Sequence, residues 1–171
     1  EEYARTKMKL FDCQGSGDHA VINMDDRTAS SLAPGISIRR QGPRLIRYGL
    51  GRDNDVWYDK PFIHYSILED RGKIDIRGAL LKGSHNMSNA AASAAAALLM
   101  GADPDNTGKA IKDFRPLGHR MEYLGQVSGI RCINDSKSTN PDSLIAALKD
   151  SPGKVTLIMG GLDKQMDFRP V

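Results

Sequence analysis

The chain has 171 residues, enough for one ordinary domain or two small ones with a real hydrophobic core. Hydrophobic residues make up 40% and charged residues 26%, and the net charge of +3, without any basic run, gives no support for nucleic acid binding. The longest apolar stretch, Ala90–Met100, is about half as long as a membrane span, and no signal peptide is visible, so no membrane association is expected.

The first segment, Glu1–Phe11, has helical composition. A short apolar strand, Ala20–Asn23, follows and runs into the acidic turn Asp25-Asp26. A short helix is predicted over Thr28–Leu32, ending before Pro34-Gly35 because proline and glycine disfavour a helix interior. Since the first helix begins without a cap and the chain stops just after a strand and loop, we expect a fragment of a longer protein.

From Ile36 to Leu81 the chain consists of short alternating apolar segments separated by Gly, Asp and Asn. This pattern is typical of antiparallel strands joined by turns. The predicted strands are Leu45–Tyr48, Val56–Tyr58, Ile63–Leu68 and Lys73–Ile76.

Two helices are predicted next. Ser84 or Asn86 can cap the first, which runs through the alanine-rich segment until Gly101 takes the usual C-terminal glycine position. Asp103-Pro104 provides an N-cap and a first-turn proline for the second helix, which should end near Phe114.

The remaining chain follows a predicted interdomain linker at Arg115–Gly118. It consists of a strand (Ile130–Asn134), a helix (Pro141–Lys149) and a continuous apolar strand (Val155–Met159). Because buried parallel strands have continuous apolar runs, this order predicts a βαβ unit and the first half of a doubly wound α/β domain.

The cysteines and histidines do not indicate a zinc site. Cys13 and Cys132 are far apart and fit no metal-ligand spacing, so we expect two buried free thiols in a reducing cytoplasm. None of the four histidines forms an HxxxH or HExxH pattern; they are His19, His64, His85 and His119.

The segment Asn134–Pro141 is the most informative for function. Its polar residues directly follow an apolar strand and precede a helix, which is where open α/β sheets bind ligands and where free N–H groups favour an anion. Lys137 adds a positive charge, Ser138 and Thr139 add hydroxyl donors, and Asp135 can accept hydrogen bonds from a ribose diol. These residue types predict a site for phosphate or carboxylate groups.

The same loop also has a purely structural interpretation. Asn140 as an N-cap and Pro141 at the first helical position are explained by helix capping alone. Capping does not require Asp135 or Lys137, however, so these two residues favour a functional loop.

A second loop, Gly160–Phe168, follows the next predicted strand. Because it lies at the carboxyl end of a neighbouring strand, its Lys164 is expected beside the first loop, where it and Lys137 converge on one anionic ligand. The alternative is an ordinary turn with a solvated lysine.

Two further positions suit a nucleotide. Asn86 and Asn89 lie three residues apart at a helix start, so both amides share one face and can bind an adenine edge, although one of them suffices as a cap. Arg120, just past the linker, can bind a phosphate bidentately, or it can simply pair with Glu122 on the surface.

These segments, in this order, resemble motifs of the Mur ligase family. The resemblance is strongest in four stretches: the G-x-H-N-x-x-N-A motif within Leu81–Ala91, the F-x-x-L-x-H-R-x-E junction at Phe114–Glu122, the N-D-S-K-(A/S)-T-N loop at Asn134–Asn140 and the Gly-Gly loop at Gly160–Phe168. The last two stretches are similar to the members of the family that add D-glutamate.

The resemblance implies a fold and an activity. Residues 1–116 would be the later part of a central ATP-binding α/β domain with an antiparallel section, and residues 117–171 the beginning of a Rossmann-like C-terminal ligase domain. The activity implied is an ATP- and Mg²⁺-dependent amide ligation through an acyl phosphate. It joins D-glutamate to UDP-N-acetylmuramoyl-L-alanine in cytoplasmic peptidoglycan precursor synthesis, by an enzyme that is monomeric at full length. Because the family's phosphate loop has no counterpart in the chain, we expect the chain alone to be inactive.

The resemblance also implies roles by position. Asn86 and Asn89 would contact adenine, and Arg120 and Asp135 would hold phosphate and ribose. The residues implied to bind D-glutamate and the reacting acyl phosphate are Lys137, Ser138, Thr139 and Lys164, with Lys137 as a catalytic residue.

Lys7 is the candidate for the carbamylated lysine of the family, because the pattern Tyr3-x-x-x-Lys7 resembles the helix that bears it. A carbamate changes this cation into an anion that can ligate Mg²⁺, which gives Lys7 an implied catalytic role. Lys9 is a rival with the wrong offset from Tyr3, and without carbamylation Lys7 is an ordinary surface lysine.

Two other functions are compatible with these patterns. One is a different ligase of the superfamily, such as another Mur ligase or a folylpolyglutamate synthase-like enzyme, although Ser136–Thr139 argues against it. The other is a non-catalytic nucleotide-binding module that has lost its phosphate loop.

Overall fold

The chain divides into two compact units in the computed structural model. The first unit comprises residues 1–82 and 86–114, and the second comprises residues 83–85 and 115–171. The structure describes residues 2–37, 41–81, 83–149, 151, 153–162, 165–169 and 171.

The first unit is a mixed α/β structure, which confirms the predicted fold class. Its five strands form one sheet in the order β1-β2-β3-β4-β5, in which β1–β2 and β2–β3 are parallel and β3–β4 and β4–β5 are antiparallel. The elements are α1 (Glu2–Met8), a 3-10 turn (Lys9–Phe11), β1 (His19–Asn23), α2 (Arg27–Ser37), β2 (Arg44–Gly49), β3 (Val56–Asp59), β4 (Phe62–Ile67), β5 (Asp70–Asp75), α3 (Ser84–Leu99, most of it in this unit) and α4 (Pro104–Asp113).

The antiparallel prediction holds for β3 to β5 but is wrong for β2 and β3. The connection between those strands turns back on itself, because both the backbone N–H and Nδ2 of Asn54 donate to the carbonyl of Gly51. The Asp55 carboxylate accepts the N–H of Arg47 at 2.7 Å, and β3 then pairs with β2 in the parallel direction. Apolar alternation predicts that a segment is a strand, but it carries no information about the direction of its partner.

The predicted end of α2 before Pro34 is also wrong, because the helix continues to Ser37. Ala33 and Ile36 are buried with Ala20 of β1, and Ile36 is 0% exposed. The burial of this apolar face outweighs the backbone hydrogen bond that proline removes.

The C-terminus of α3 and both ends of α4 agree with the capping predictions, but the predicted N-cap of α3 is wrong, because the helix already begins at Ser84 and so includes both Ser84 and Asn86. At the C-terminus of α3, Gly101 has φ 84° and donates its N–H to the carbonyl of Leu98, while Ala102 N–H donates to the carbonyl of Ala97. These two bonds form a Schellman motif. At the start of α4, the Asp103 carboxylate accepts the N–H of Asn106 at 2.9 Å, which is an N-cap.

The core of the first unit joins the sheet to α3 and α4. Small residues on one face of α3 permit close approach, since Ala94 and Ala95 are both 0% exposed. The largest fully buried side chains of this core are Ile46, Val56, Ile63 and Ile74.

Helix α4 lies close to β5 at Gly108. A Cβ atom there would lie 3.0 Å from both the carbonyl oxygen of Asp75 and Cγ2 of Ile74. Because a sheet carbonyl cannot move aside, Gly108→Val is expected to lower the free energy of unfolding by about 1–3 kcal/mol, the usual cost of overpacking. Chemical denaturation measures this, with Ala110→Val, at an exposed position of the same helix, as the control. Equal stability of the two variants would show that the contact is not restrictive.

The carboxylate of Asp75 binds Arg77 through bonds as short as 2.6 Å. This side-chain hydrogen bond, the largest cause, holds the pKa of Asp75 at about 2 against an ordinary value of 3.8. Its contribution to stability is therefore present above pH 3.8 and is lost as the pH falls through about 2. NMR titration should show the Asp75 midpoint rising toward 3.8 in Arg77→Gln, and much less in Lys112→Gln, whose effect on Asp75 is the smallest. An unchanged midpoint in Arg77→Gln would contradict this assignment.

The second unit contains a β-hairpin, made of β6 (Glu122–Val127) and β7 (Ile130–Asn134), and α5 (Pro141–Lys149). The predictions of β7 and α5 are confirmed, but β6 was not predicted. The alternating pattern of β6 is interrupted at Gly125, where the register of its pairing with β7 shifts. The hairpin turn uses Ser128 and Gly129, whose φ values of 50° and 83° suit a two-residue type I′ turn.

The predicted strand over 155–159 is wrong, and β7 pairs antiparallel with β6 instead of parallel with that segment. An apolar run becomes a buried parallel strand only when neighbouring strands and helices cover it. Ile158 is 94% exposed, so this cover is not provided within the described residues. The parallel pair on which the doubly wound prediction rests is therefore not formed among them.

Both cysteines are free, as predicted, but the prediction that they are buried is wrong. Cys132 lies on β7, and the strand on either side of it, from Ile130 to Ile133, is exposed. Cys13 lies in the turn after the 3-10 segment and is also exposed. None of the helices in the described part of the chain combines the length and the hydropathy that a membrane crossing needs.

Candidate functional site

Two of the predicted segments are joined by hydrogen bonds within the second unit. The N–H of Lys137 donates to the carbonyl of His119 at 3.0 Å, and the N–H of Met121 donates to Oδ1 of Asp135 at 3.1 Å. The junction segment 119–122 and the polar loop 134–138 therefore form one structure, which we call the junction network.

Asp135 is the central acceptor of the junction network. Its Oδ1 accepts from Met121, and its Oδ2 accepts from the hydroxyl of Ser138 at 2.6 Å. The N–H of Ser138 also donates to the Asp135 carbonyl, which closes the turn. A carboxylate has about four lone-pair sites, so a half-buried Asp135 retains the capacity to accept a ribose hydroxyl. The hydroxyl of Ser138, by contrast, already donates to Asp135.

Arg120 lies between two residues in the left-handed region, His119 with φ 64° and Met121 with φ 46°. Such conformations cost non-glycine residues about 1–3 kcal/mol and persist only where surrounding contacts hold them. The predicted alternative, a surface pair of Arg120 with Glu122, is not among the ion pairs of the described chain, where Glu122 contacts His119 instead. The side chains of Arg120 and Lys137 are both exposed and so are accessible to an anion.

The loop ends at the cap of α5, as its structural interpretation predicts. Oδ1 of Asn140 accepts from the N–H of Ser143 at 2.8 Å and from its hydroxyl at 2.9 Å. Thr139, just before the cap, is exposed. Lys164 lies outside the described residues, so its predicted convergence with Lys137 stays a prediction.

The predicted adenine-binding residues lie in the first turns of α3. Asn86 is half-buried and Asn89 is exposed, and both have interactions with other residues. Their spacing of three residues places them on one face, which suits the two edges of an adenine base. Their role stays a prediction.

Lys7 is exposed on α1 and also has an interaction with another group. A Mg²⁺ site needs several oxygen ligands around such a carbamate. Among the described residues there is no group of three or more His, Cys, Asp or Glu side chains that suits a metal ion. The described residues therefore do not complete a Mg²⁺ site by themselves.

A further polar cluster lies at the carboxyl ends of the parallel strands β1 and β2. The hydroxyl of Tyr48 lies near the side chains of Ser88 of α3 and of Asn23. Burial raises the pKa of Tyr48, the polar side chains of Ser88 and Asn23 oppose this, and the nearby Asp25 and Asp26 add to the rise. The sequence pattern indicates the Asn23 strand end but gives no sign of Tyr48 and Ser88, because only the tertiary fold brings these distant positions together.

Asp25 fixes the loop beside this cluster. Its Oδ2 accepts the N–H of Leu50 at 2.9 Å, and its own N–H donates to Oδ1 of Asn23. A Cβ atom at Gly49 would lie 2.8 Å from Oδ1 of Asp25, so a larger residue there would displace the Asp25 carboxylate. Strand ends of this kind are where open α/β sheets bind ligands, and Asn86 and Asn89 of α3 belong to the same unit.

Comparison with known proteins gives matches over nearly the whole chain. A curated relative from Pelotomaculum thermopropionicum, named UDP-N-acetylmuramoylalanine–D-glutamate ligase, is 38% identical over 98% of this chain and 36% of its own length. A relative of the same name from Geotalea daltonii is 34% identical over 100% of this chain and 37% of its own length. The chain thus spans about a third of the length of these relatives.

A similar fold occurs in a crystal structure of MurF from Acinetobacter baumannii, with a TM-score of 0.67 and 18% identity. The match covers 88% of this chain and 33% of that one, and at this identity it shows the fold alone. The model of the Mur ligase middle domain family matches residues 1–97, which include α1, the whole sheet and most of α3. Since this match covers more than half of the 171 residues, the chain belongs to the Mur ligase family.

Proposed function

We propose that the chain is part of an ATP-dependent ligase that adds D-glutamate to UDP-N-acetylmuramoyl-L-alanine. The observation that carries the proposal is the junction network, in which the exposed cations Arg120 and Lys137 lie on segments joined by the hydrogen bond from Lys137 N–H to His119. The names of the curated relatives support D-glutamate as the acceptor. Residues 1–116 would belong to the ATP-binding domain and residues 117–171 to the ligase domain.

Each candidate residue would have a role in binding or catalysis. Asn86 and Asn89 would bind adenine, and Arg120 and Asp135 would bind phosphate and ribose. Because Ser138 donates to Asp135, its contribution to substrate binding would be to shape the loop, through that bond. The remaining substrate-binding and catalytic roles would belong to Lys137, Thr139, Lys164 and Lys7.

ATP supplies the phosphoryl group that activates the carboxylate of the muramoyl substrate. The bond between the γ-phosphorus and the bridging oxygen breaks, ADP leaves and an acyl phosphate forms. The amino group of D-glutamate then attacks the acyl carbon, the C–N bond forms, phosphate leaves and the amine proton passes to solvent. Negative charge accumulates in both transition states, so cations held in place, such as Lys137, would provide the main stabilisation.

Phosphate release by the full-length protein tests this proposal. With ATP, Mg²⁺ and UDP-N-acetylmuramoyl-L-alanine, release is expected with D-glutamate but not with L-alanine, L-lysine or diaminopimelate. Release with a different acceptor would retain the ligase and overturn the substrate. No release with any acceptor from a folded protein would favour a nucleotide-binding module. Cytoplasmic location and a monomeric state stay predictions from the resemblance.

A further inference from the structure

We propose that Glu122 and Asn134 are positioning residues. They hold the two backbone segments that carry Arg120 and Lys137. The proposal rests on the proposed function for its catalytic consequence, but its structural part stands on contacts within the second unit. Glu122 and Asn134 are both half-buried, and both reach His119 rather than the two exposed cations.

Asn134 uses both ends of its amide. Its Nδ2 lies 2.8 Å from Nδ1 of His119 and 3.4 Å from Oε2 of Glu122, while its Oδ1 accepts the N–H of Ser136 at 3.1 Å. An amide is the one ordinary side chain of this size with donors on one atom and an acceptor on the other. Aspartate at this position would keep the bond from Ser136 but lose both donors and face Glu122 with a second negative charge.

Glu122 holds the backbone of His119 directly. Its Oε2 accepts the N–H of His119 at 2.8 Å, a charge-assisted bond and therefore stronger than a neutral one. This bond stabilises His119 in its left-handed conformation with φ 64°. Without it, His119 is expected to relax toward the more common right-handed or extended backbone.

His119 also holds the polar loop, because the carbonyl of His119 accepts the N–H of Lys137 at 3.0 Å. Met121, the next left-handed residue, is held in turn by Asp135. Arg120 therefore lies between two restrained residues, and Lys137 is joined to the first of them. If the backbone of His119 relaxes, Arg120 and Lys137 are no longer held in fixed positions relative to each other.

The variants Asn134→Asp and Glu122→Ala test this in the full-length protein. We expect amide hydrogen exchange at Met121 and Lys137, measured without nucleotide, to become at least about tenfold faster, while the Tm stays near that of wild type. Because small displacements of positioned groups lower the rate by about 10²-fold, we expect kcat with D-glutamate to fall by that factor.

Glu122→Gln keeps an acceptor oxygen for His119 N–H and should recover much of the loss. Gln126→Glu is the matched amide-to-acid control, since Gln126 is exposed on the same hairpin.

Each outcome decides the proposal. Unchanged exchange at Met121 and Lys137 overturns it, as does faster exchange throughout the second unit together with a lower Tm, which would mean general destabilisation. Wild-type kcat in variants with faster local exchange also overturns the positioning role. If wild-type protein shows no D-glutamate-dependent activity, the proposed function fails, and the exchange data alone then decide whether Glu122 and Asn134 hold this backbone.

Discussion

Lys137→Ala in the full-length protein is expected to lower the rate of D-glutamate-dependent phosphate release by about 10²–10³-fold, the usual cost of removing one preorganised stabiliser of a developing anion. The side chain of Lys137 is exposed, while its N–H is bound to His119. The substitution thus removes the charge and leaves the backbone contact intact. The rate of phosphate release at saturating substrates is the measurement, and the Tm should not change.

Lys149→Ala is the matched control, because Lys149 is an exposed lysine in the last turn of α5, away from the polar loop. It should retain full activity. Lys137→Arg should retain part of the activity, since it keeps the charge but presents it in a planar, differently spaced group. Equal activity of Lys137→Ala and wild type would remove Lys137 from the catalytic machinery while leaving the family membership untouched.

Ile63→Ala is expected to lower the free energy of unfolding of the first unit by about 2–5 kcal/mol, a large share of the stability of an ordinary domain. Ile63 lies on β4, between β3 and the edge strand β5, and it pairs with Ile74 of β5 and Tyr58 of β3. Its side chain is 0% exposed, so truncation leaves a cavity that the surrounding β-sheet cannot readily fill. Urea denaturation monitored by the fluorescence of Trp57, on the neighbouring strand, measures the change.

Met100→Ala removes a side chain of similar size at a position that is 87% exposed in the same unit. It should change the free energy of unfolding by no more than about 0.5 kcal/mol, as surface substitutions usually do. If the two variants were equally stable, the sheet interior around Ile63 would not be the core of this unit.

Features that depend on a few neighbouring residues were predictable. The caps of α4 and α5 and the glycine end of α3 were confirmed at Asp103, Asn140 and Gly101, because each involves bonds within one turn of the chain. The polar loop 134–140 was located correctly after β7 for the same reason. Its assigned ligand roles stay predictions.

Features that depend on distant partners were not predictable in the same way. The parallel direction of β3, the continuation of α2 through Pro34 and the existence of β6 all follow from what packs or pairs alongside them. The apolar segment 155–159 had the composition of a parallel strand, but composition cannot supply the neighbour that such a strand needs.

The amino-acid sequence by itself therefore determined the α/β class, the ends of most helices, the position of the polar loop and the resemblance to the Mur ligases, since these reside in local patterns and motifs. Only the tertiary structure decided that Glu122 and Asn134 bind His119, that the carbonyl of His119 binds Lys137, and that Tyr48 lies near Ser88. The physical reason is that hydrogen bonds form between groups that the fold brings together, whatever their separation along the chain.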